Sequence, residues 1–162
     1  MTQDYYGTKR ITAWRQKSPS PPTPGAPEDA QDGYAVKYSD GYISWSPKDV
    51  FEAAYQPITA MNFGHALQAM KDGHKVARAG WNGKGMWIAL TPGSTLPAHM
   101  AKYGHAATHR AVEIRRDVES GAPSYEIELL PHIDMRTADG ALCVGWLASQ
   151  TDMLADDWQI VE

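Results

Sequence analysis

Residues 75–91 read KVARAGWNGKGMWIALT: two short apolar runs separated by a loop that holds three glycines. Lys75 to Ala79 and Met86 to Thr91 are each the length of a strand and rich enough in β-formers to be one. A glycine loop this short between them predicts an antiparallel connection rather than a crossover, and an antiparallel sheet as the frame of the chain. The same loop carries Trp81, Asn82 and Lys84. One reading is a hairpin turn with an anchoring ring and a surface lysine. The other is a binding loop. Glycine N–H groups approach an anion, Lys84 adds a point charge, Trp81 offers a flat face to a base, and Asn82 supplies donors and an acceptor. It is not a Walker loop, because it is too short and no Ser or Thr follows the lysine.

The elements on either side extend the same pattern. Before the loop, Asn62 is placed to cap a helix whose Phe63, Ala66, Leu67 and Met70 recur at helical spacing, and Gly73 ends it. Further back, Gly33 to Tyr38 and Tyr42 to Trp45 flank an Asp40-Gly41 turn, a hairpin signature. Ser46-Pro47-Lys48-Asp49 then predicts a helix with Ser46 as its N-cap, limited by Pro57. Tyr6 to Trp14 reads as a strand. Between it and the hairpin lies KSPSPPTPGAPEDA (17–30), a proline-rich loop that can join neither ladder nor helix. After the glycine loop, Val112 to Arg116, Tyr125 to Leu130 and Ile133 to Arg136 read as strands. Ala138-Asp139-Gly140 turns, and Ala141 to Trp146 returns. Asp152 to Leu154 is a helical turn, with Ser149 or Thr151 as a candidate cap, and Trp158 to Val161 is a last strand. The expectation is an α+β fold, mainly antiparallel sheet with a few short helices. Residues 1–58 form a small β-rich extension with one helix, and residues 61–162 a second unit.

Composition limits the function classes. The chain has 162 residues, 21% of them charged, with a formal net charge of −4. No basic run is long enough to track a nucleic-acid polymer, and no apolar run reaches transmembrane length. No signal peptide is expected at the start. A single cysteine, Cys143, excludes an internal disulfide and a multi-cysteine metal site, and its apolar surroundings predict a small core residue. The aromatic mix is unusual: six Trp and eight Tyr against two Phe. Such rings serve equally as half-buried core and as surfaces that face both protein and ligand.

Catalytic signals are weak. His105 and His109 have a zinc-compatible spacing, but no glutamate of a metalloprotease motif lies between them, and His99 and His132 complete no ligand set. There is no nucleophile elbow. Asp156-Asp157 is a carboxylate pair in a segment expected to face solvent. Binding is better supported. Trp146 also follows a glycine, and the polar run Ser149, Gln150, Thr151 and Asp152 comes next. Two Gly-Trp sites beside polar residues predict a clamp for a nucleotide-like ligand. The plainer alternative packs Trp146 on the core and leaves Ser149 as a cap.

MNFGHALQAMKDGHKVARAGWNGKGMWIAL (Met61 to Leu90) and LLPHIDMRTADGALCVGWLASQTDMLADDWQIVE (Leu129 to Glu162) resemble the Thoeris anti-defence 2 proteins, small phage and prophage sponges. The resemblance implies a homotetramer in the bacterial host cytoplasm that binds a cyclic ADP-ribose isomer made by a TIR-domain enzyme and does not cleave it. Some members also hold cyclic dinucleotides at separate sites. No catalytic residue, metal or cofactor is implied. Residues 91–128 look like a variable insertion, and DGYISWSPKDVFEAAYQPI belongs to an extension seen on longer relatives. Carried onto this chain, the stacking tryptophan falls on Trp81, with Asn82 and Lys84 in the same loop. Trp146, Gln150, Thr151 and Asp152 fall in the second block, and Asp134 becomes a candidate acceptor for a ribose hydroxyl. Two other functions stay open: a hydrolase of a cyclic nucleotide signal, which would need the histidines at 99 to 109, and a phage structural or host-interaction module.

Overall fold

A computed structural model of the protein describes residues 3–4, 7–20, 24–25, 31–81, 85–97 and 126–162. The fold is α+β, built mainly from antiparallel strands. The first sheet contains β1 (Thr12–Arg15), β2 (Gly33–Lys37) and β3 (Ile43–Pro47), in that order. Both pairings are antiparallel. The Asp40-Gly41 turn forms as expected, with Gly41 at φ +88° and the Tyr42 N–H donating to Asp40 Oδ1. Beyond β1 and β2 the two chains stay together at the base of the proline-rich loop. Gln16 N–H donates to Gly33 O, Ser18 N–H donates to Gln31 O, and Lys17 pairs with Asp32 at 2.7 Å.

The helix that follows, α1 (Lys48–Ala54), differs from expectation at its start. Ser46 is not its cap: Pro47 holds that position, and no side chain caps the helix. Pro47 has φ −55° and ψ 147°, so Ser46 stays in the β3 ladder opposite Tyr34. α1 docks on the sheet through Phe51, whose ring stacks on Tyr34 at 4.1 Å and on Tyr55 at 4.9 Å.

The second layer begins with α2 (Phe63–Lys71), capped by Asn62, whose Oδ1 accepts from the His65 N–H. Ala66, Ala69 and Met70 are buried. Gly73, at φ +90°, ends the helix and donates to Met70 O. The helix packs on a five-stranded sheet with strand order β10-β4-β5-β8-β9. Its members are β4 (Lys75–Arg78), β5 (Trp87–Thr91), β8 (His132–Arg136), β9 (Leu142–Cys143) and β10 (Trp158–Val161). A separate pair, β6 (Ser94–Pro97) with β7 (Glu126–Leu129), leads out of β5 and back toward β8. The residues between this pair, with the expected strand at 112–116 and His99, His105 and His109, lie outside the described residues, as do Asn82 and Lys84. The core joins Met61, Ala66, Ala69, Met70, Val76, Ile88 and Trp158.

The return strand after Gly140 is shorter than Ala141 to Trp146. Its pairing stops at Cys143, opposite Met135, and the cysteine is exposed rather than part of the core. Gly145, at φ +80°, turns the chain out of the ladder.

A cleft of about 810 Å³ lies between residues 8–13 and α1 on one side and α2 on the other. Arg10 reaches across it to His74, with Nη1 3.1 Å from Nε2.

Gly33 gives a direct test of the first sheet. A Cβ there would sit 2.3 Å from Ser46 O and 2.5 Å from the Trp45 ring. Gly33→Ala is therefore expected to destabilise the protein by about 1–3 kcal/mol, the usual cost of overpacking. Thermal melting measures it, and a variant as stable as the parent would show that Trp45 does not lie over Gly33.

Candidate functional site: a tryptophan floor beside the glycine loop

Three tryptophans that are far apart in the sequence meet on one side of the second sheet. Trp158 is fully buried. Trp81 and Trp146 are half-buried and stand edge-on to it, with centroids at 5.4 Å and 6.2 Å and interplanar angles of 78° and 80°. They also meet each other edge-to-face at 6.3 Å, and Phe63 closes the cluster from α2. Edge-to-face contact suits the ring quadrupoles, so each indole is held by its neighbours as well as by burial.

Two aspartates among the sequence candidates hold this floor. Asp152 lies in α3 (Gln150–Met153), a short helix with a complete capping box. The Ser149 hydroxyl accepts from Asp152 N–H, and Asp152 Oδ2 accepts from Ser149. Its Oδ1 accepts from Trp81 Nε1 at 3.3 Å and from Arg78 Nη1 at 3.0 Å, and its backbone carbonyl accepts from Trp158 Nε1 at 2.9 Å. Asp152 thus touches two of the three indoles. Asp134, in β8, does the corresponding work for the third. Its Oδ2 accepts from the Thr91 hydroxyl and its Oδ1 from Gly145 N–H at 3.0 Å, one residue before Trp146. The Trp146 N–H then donates to Ile133 O at 2.6 Å. His132 lies nearby, its Nε2 3.5 Å from Asp134 Oδ1. Gln150 and Thr151 are exposed on α3, with Thr151 Oγ1 2.8 Å from Ser149 Oγ.

Three residues to which the sequence assigned no binding role fix the stems of the glycine loop. Asp157 does not face open water. Its Oδ2 accepts from Gly80 N–H at 2.9 Å and its Oδ1 from Arg78 Nε at 2.8 Å. A Cβ on Gly80 would meet that Oδ2 at 3.0 Å, so the glycine permits the approach. Arg78, in β4, joins Asp152 and Asp157 and donates to Thr151 O. At the other stem Arg136, in β8, donates from Nη1 to Gly85 O at 2.6 Å. Arg136 stands opposite Trp87 in the β5–β8 ladder, which is why a β8 side chain reaches the far end of the loop. No local signal marks these residues, because their partners are distant in the sequence. Among the described residues, no three His, Cys, Asp or Glu groups are placed to hold a metal ion.

The site is separate from the 810 Å³ cleft, which none of Trp81, Asp134, Trp146, Gln150, Thr151 or Asp152 lines.

The Arg78 network is only 19% and 14% exposed at its Arg78 and Asp152 side chains, so solvent screens it less than a surface pair. Burial works against the charge on Asp152, but Ser149, Arg78 and Trp81 together hold its carboxyl below the usual value. The Arg78 guanidinium, with help from Gly80 N–H, lowers that of Asp157 against a smaller opposing effect of burial. A carboxyl lowered on folding contributes stability above its unfolded value of about 3.9, and that stability is lost as pH falls through the folded value. Urea unfolding is thus expected to lose midpoint steeply below about pH 4 in the parent and less steeply in Arg78→Met, which starts from a lower midpoint. Parallel acid profiles would show that the network adds nothing to acid sensitivity.

The family model for a Thoeris anti-defense 2-like domain matches residues 61–161. Thoeris anti-defense 2 of Bacillus phage SP01 is 35% identical over 105 residues, which cover 64% of this chain and 97% of that protein. The matched span contains the three tryptophans, both glycine-loop stems and the aspartates that hold them. The chain belongs to the Thoeris anti-defense 2-like family.

Proposed function

We propose that this protein binds and sequesters a cyclic ADP-ribose-type signal without cleaving it, so that a bacterial immune effector is never switched on. Family membership supports a phage anti-defence role at the coarser level. The observation that carries the finer reading is the tryptophan floor: two half-buried indoles beside a glycine loop, held from behind by a third that is fully buried. A floor anchored in this way is formed before a ligand arrives, which reduces the entropy lost on binding.

In this reading Trp81 stacks the purine, and Trp146 forms the adjoining wall. Asn82 and Lys84, in the same loop by sequence, meet the ribose and the diphosphate. Gln150 and Thr151 are exposed and available for polar contacts to the ligand. Asp152 and Asp134 act mainly by orienting the rings, since their oxygens already accept bonds from the protein. A sponge must hold its ligand below micromolar concentration, which requires roughly −8 to −12 kcal/mol. One base stack and several charge-assisted hydrogen bonds on a preformed floor are of that order. The role does not call for a nucleic-acid polymer, membrane, metal or cofactor. Among the described residues no helix is long and apolar enough to cross a membrane. A cyclic dinucleotide at a second site remains part of the proposal.

The same reading includes a homotetramer. Its support is a run of large apolar side chains left in water around the β9 edge and α3: Leu142, Val144, Leu147 and Leu154, the last two 90% and 82% exposed. Exposed apolar groups beside the open edge of a sheet are typical of an interface. Light scattering at micromolar concentration is expected to report a tetramer, and a monomer there would remove the shared surface.

The central test is Trp81→Ala, read by calorimetric binding and melting on the same sample. Losing one base stack is expected to weaken affinity about ten- to a hundredfold, with Trp81→Phe losing less. Removing the ring also frees one acceptor position on Asp152, so a modest drop in melting temperature accompanies it. Unchanged affinity in the folded fraction would show that Trp81 is only a core residue. Incubation with ligand followed by denaturation and chromatography is expected to return the ligand intact. A cleaved product would identify a hydrolase instead.

A further inference from the structure

The cleft between residues 8–13 and α2 has the size of a small-molecule site, about 810 Å³. One wall follows α2. His65, Gln68 and Ala69, with Asp72 just past the helix, stand at i, i+3, i+4 and i+7, a single helix face. From His65 to Asp72 that face runs roughly 10 Å at the helical rise. The facing wall comes from residues 8–13, Phe51 and Tyr55, all of which precede the family match at 61–161. Phe51 and Tyr55 stack at 4.9 Å, and Ile58 lines the cleft with 46% of its surface exposed. The body of the trough is thus apolar, while its two ends carry spare donors. At the far end Arg10 Nη1 stands 3.1 Å from His74 Nε2, which accepts, since arginine only donates. Among the described residues, no carboxylate lies within ion-pair distance of Arg10, and its other N–H groups have no protein acceptor. At the near end Gln56 uses its carbonyl oxygen for Asn62 N–H at 2.7 Å and for His65 Nδ1 at 3.1 Å, which leaves its amide N–H groups over. The acids of the cleft are engaged. Glu52 accepts from the Tyr34 hydroxyl at 2.8 Å and lies 3.8 Å from Arg15, and Asp72 accepts from Gln68 at 3.0 Å.

We propose that this cleft is a second binding site, for a small organic anion with an elongated apolar body. The body lies along α2 against Ile58, Phe51 and Tyr55, and Arg10 holds the anionic group. Gln56 offers its amide N–H groups to a neutral acceptor at the other end. The site shares no residue with the tryptophan floor, so it does not depend on what the floor holds. It belongs to this chain through residues that lie before the family match, and a domain of residues 61–161 alone lacks one of its walls.

The probes are decanoate and decyltrimethylammonium, which share an apolar chain and differ in charge. Each is titrated by calorimetry into the full chain below its micelle-forming concentration, with melting measured on the same samples. The parent is expected to bind one decanoate per chain and to bind it more tightly than the cation. Arg10→Gln is expected to bind decanoate about two- to fivefold more weakly, the size of a solvent-screened ion pair, without weakening the cation. Ile58→Ser is expected to weaken both probes about tenfold, because it removes apolar surface from the wall. If Ile58→Ser melts early, Arg10→Gln, at an exposed residue, carries the test alone. A parent that binds no decanoate overturns the proposal, and so does equal affinity for the two probes. Parental decanoate affinity in a variant that carries the test overturns it as well, and assigns the binding to the exposed apolar groups around β9 instead.

Discussion

Trp158 sits where the two halves of the matched region are tied together. Its indole is fully buried, its main chain exchanges both hydrogen bonds with Met61, and its ring nitrogen donates to the Asp152 carbonyl. Trp81 and Trp146 lie edge-on against it. The floor thus inherits its geometry from a core residue that contacts no solvent. A site built this way resists displacement, since moving either outer ring means disturbing the packing of the domain.

Polar groups around the floor form a second tier with a clear division of labour. Asp152 and Asp157 share Arg78, which ties together the helix α3, the residue before β10 and the first stem of the glycine loop. Asp134 ties β5, through Thr91, to the turn before Trp146. Each carboxylate is partly desolvated, a costly arrangement unless its acceptor positions are used, and here several are. The acids therefore shape the site through the bonds they accept from the protein.

Much of the fold was legible in the sequence because it depends on neighbours in the chain. Asn62 caps a helix by reaching three residues ahead, the Asp40-Gly41 turn closes on itself, and Ser149 with Asp152 forms a box within one turn. Trp158 to Val161 could be read from its alternation alone. What failed depended on distant pairing. Ser46 looked like a cap but belongs to a ladder with β2, and Cys143 looked buried but is the last residue of the edge strand β9. Asp157 looked solvated because its partners, Arg78 and Gly80, are 79 and 77 residues away. The site was legible in its residue types, an aromatic beside glycines. That Trp81 and Trp146 share a backing residue could not be read, since nothing near either one points to Trp158.

The strand order carries a consequence for how the chain is made. β10 covers the outer side of β4, although β4 is synthesised early and β10 is the last of the described strands to appear. Until then β4 is a bare edge, and Val76 and Ile88 lack the indole that later seals them. A nascent chain in that state presents an unpaired backbone beside apolar side chains, the surface on which wrong pairings begin. Closure by a contact this distant in sequence is slow relative to the local hairpins. The same late strand brings Trp158 and, just before it, Asp157. The tryptophan floor and the first loop stem therefore both wait on the segment that ends in β10, and a chain that stops short of it has neither.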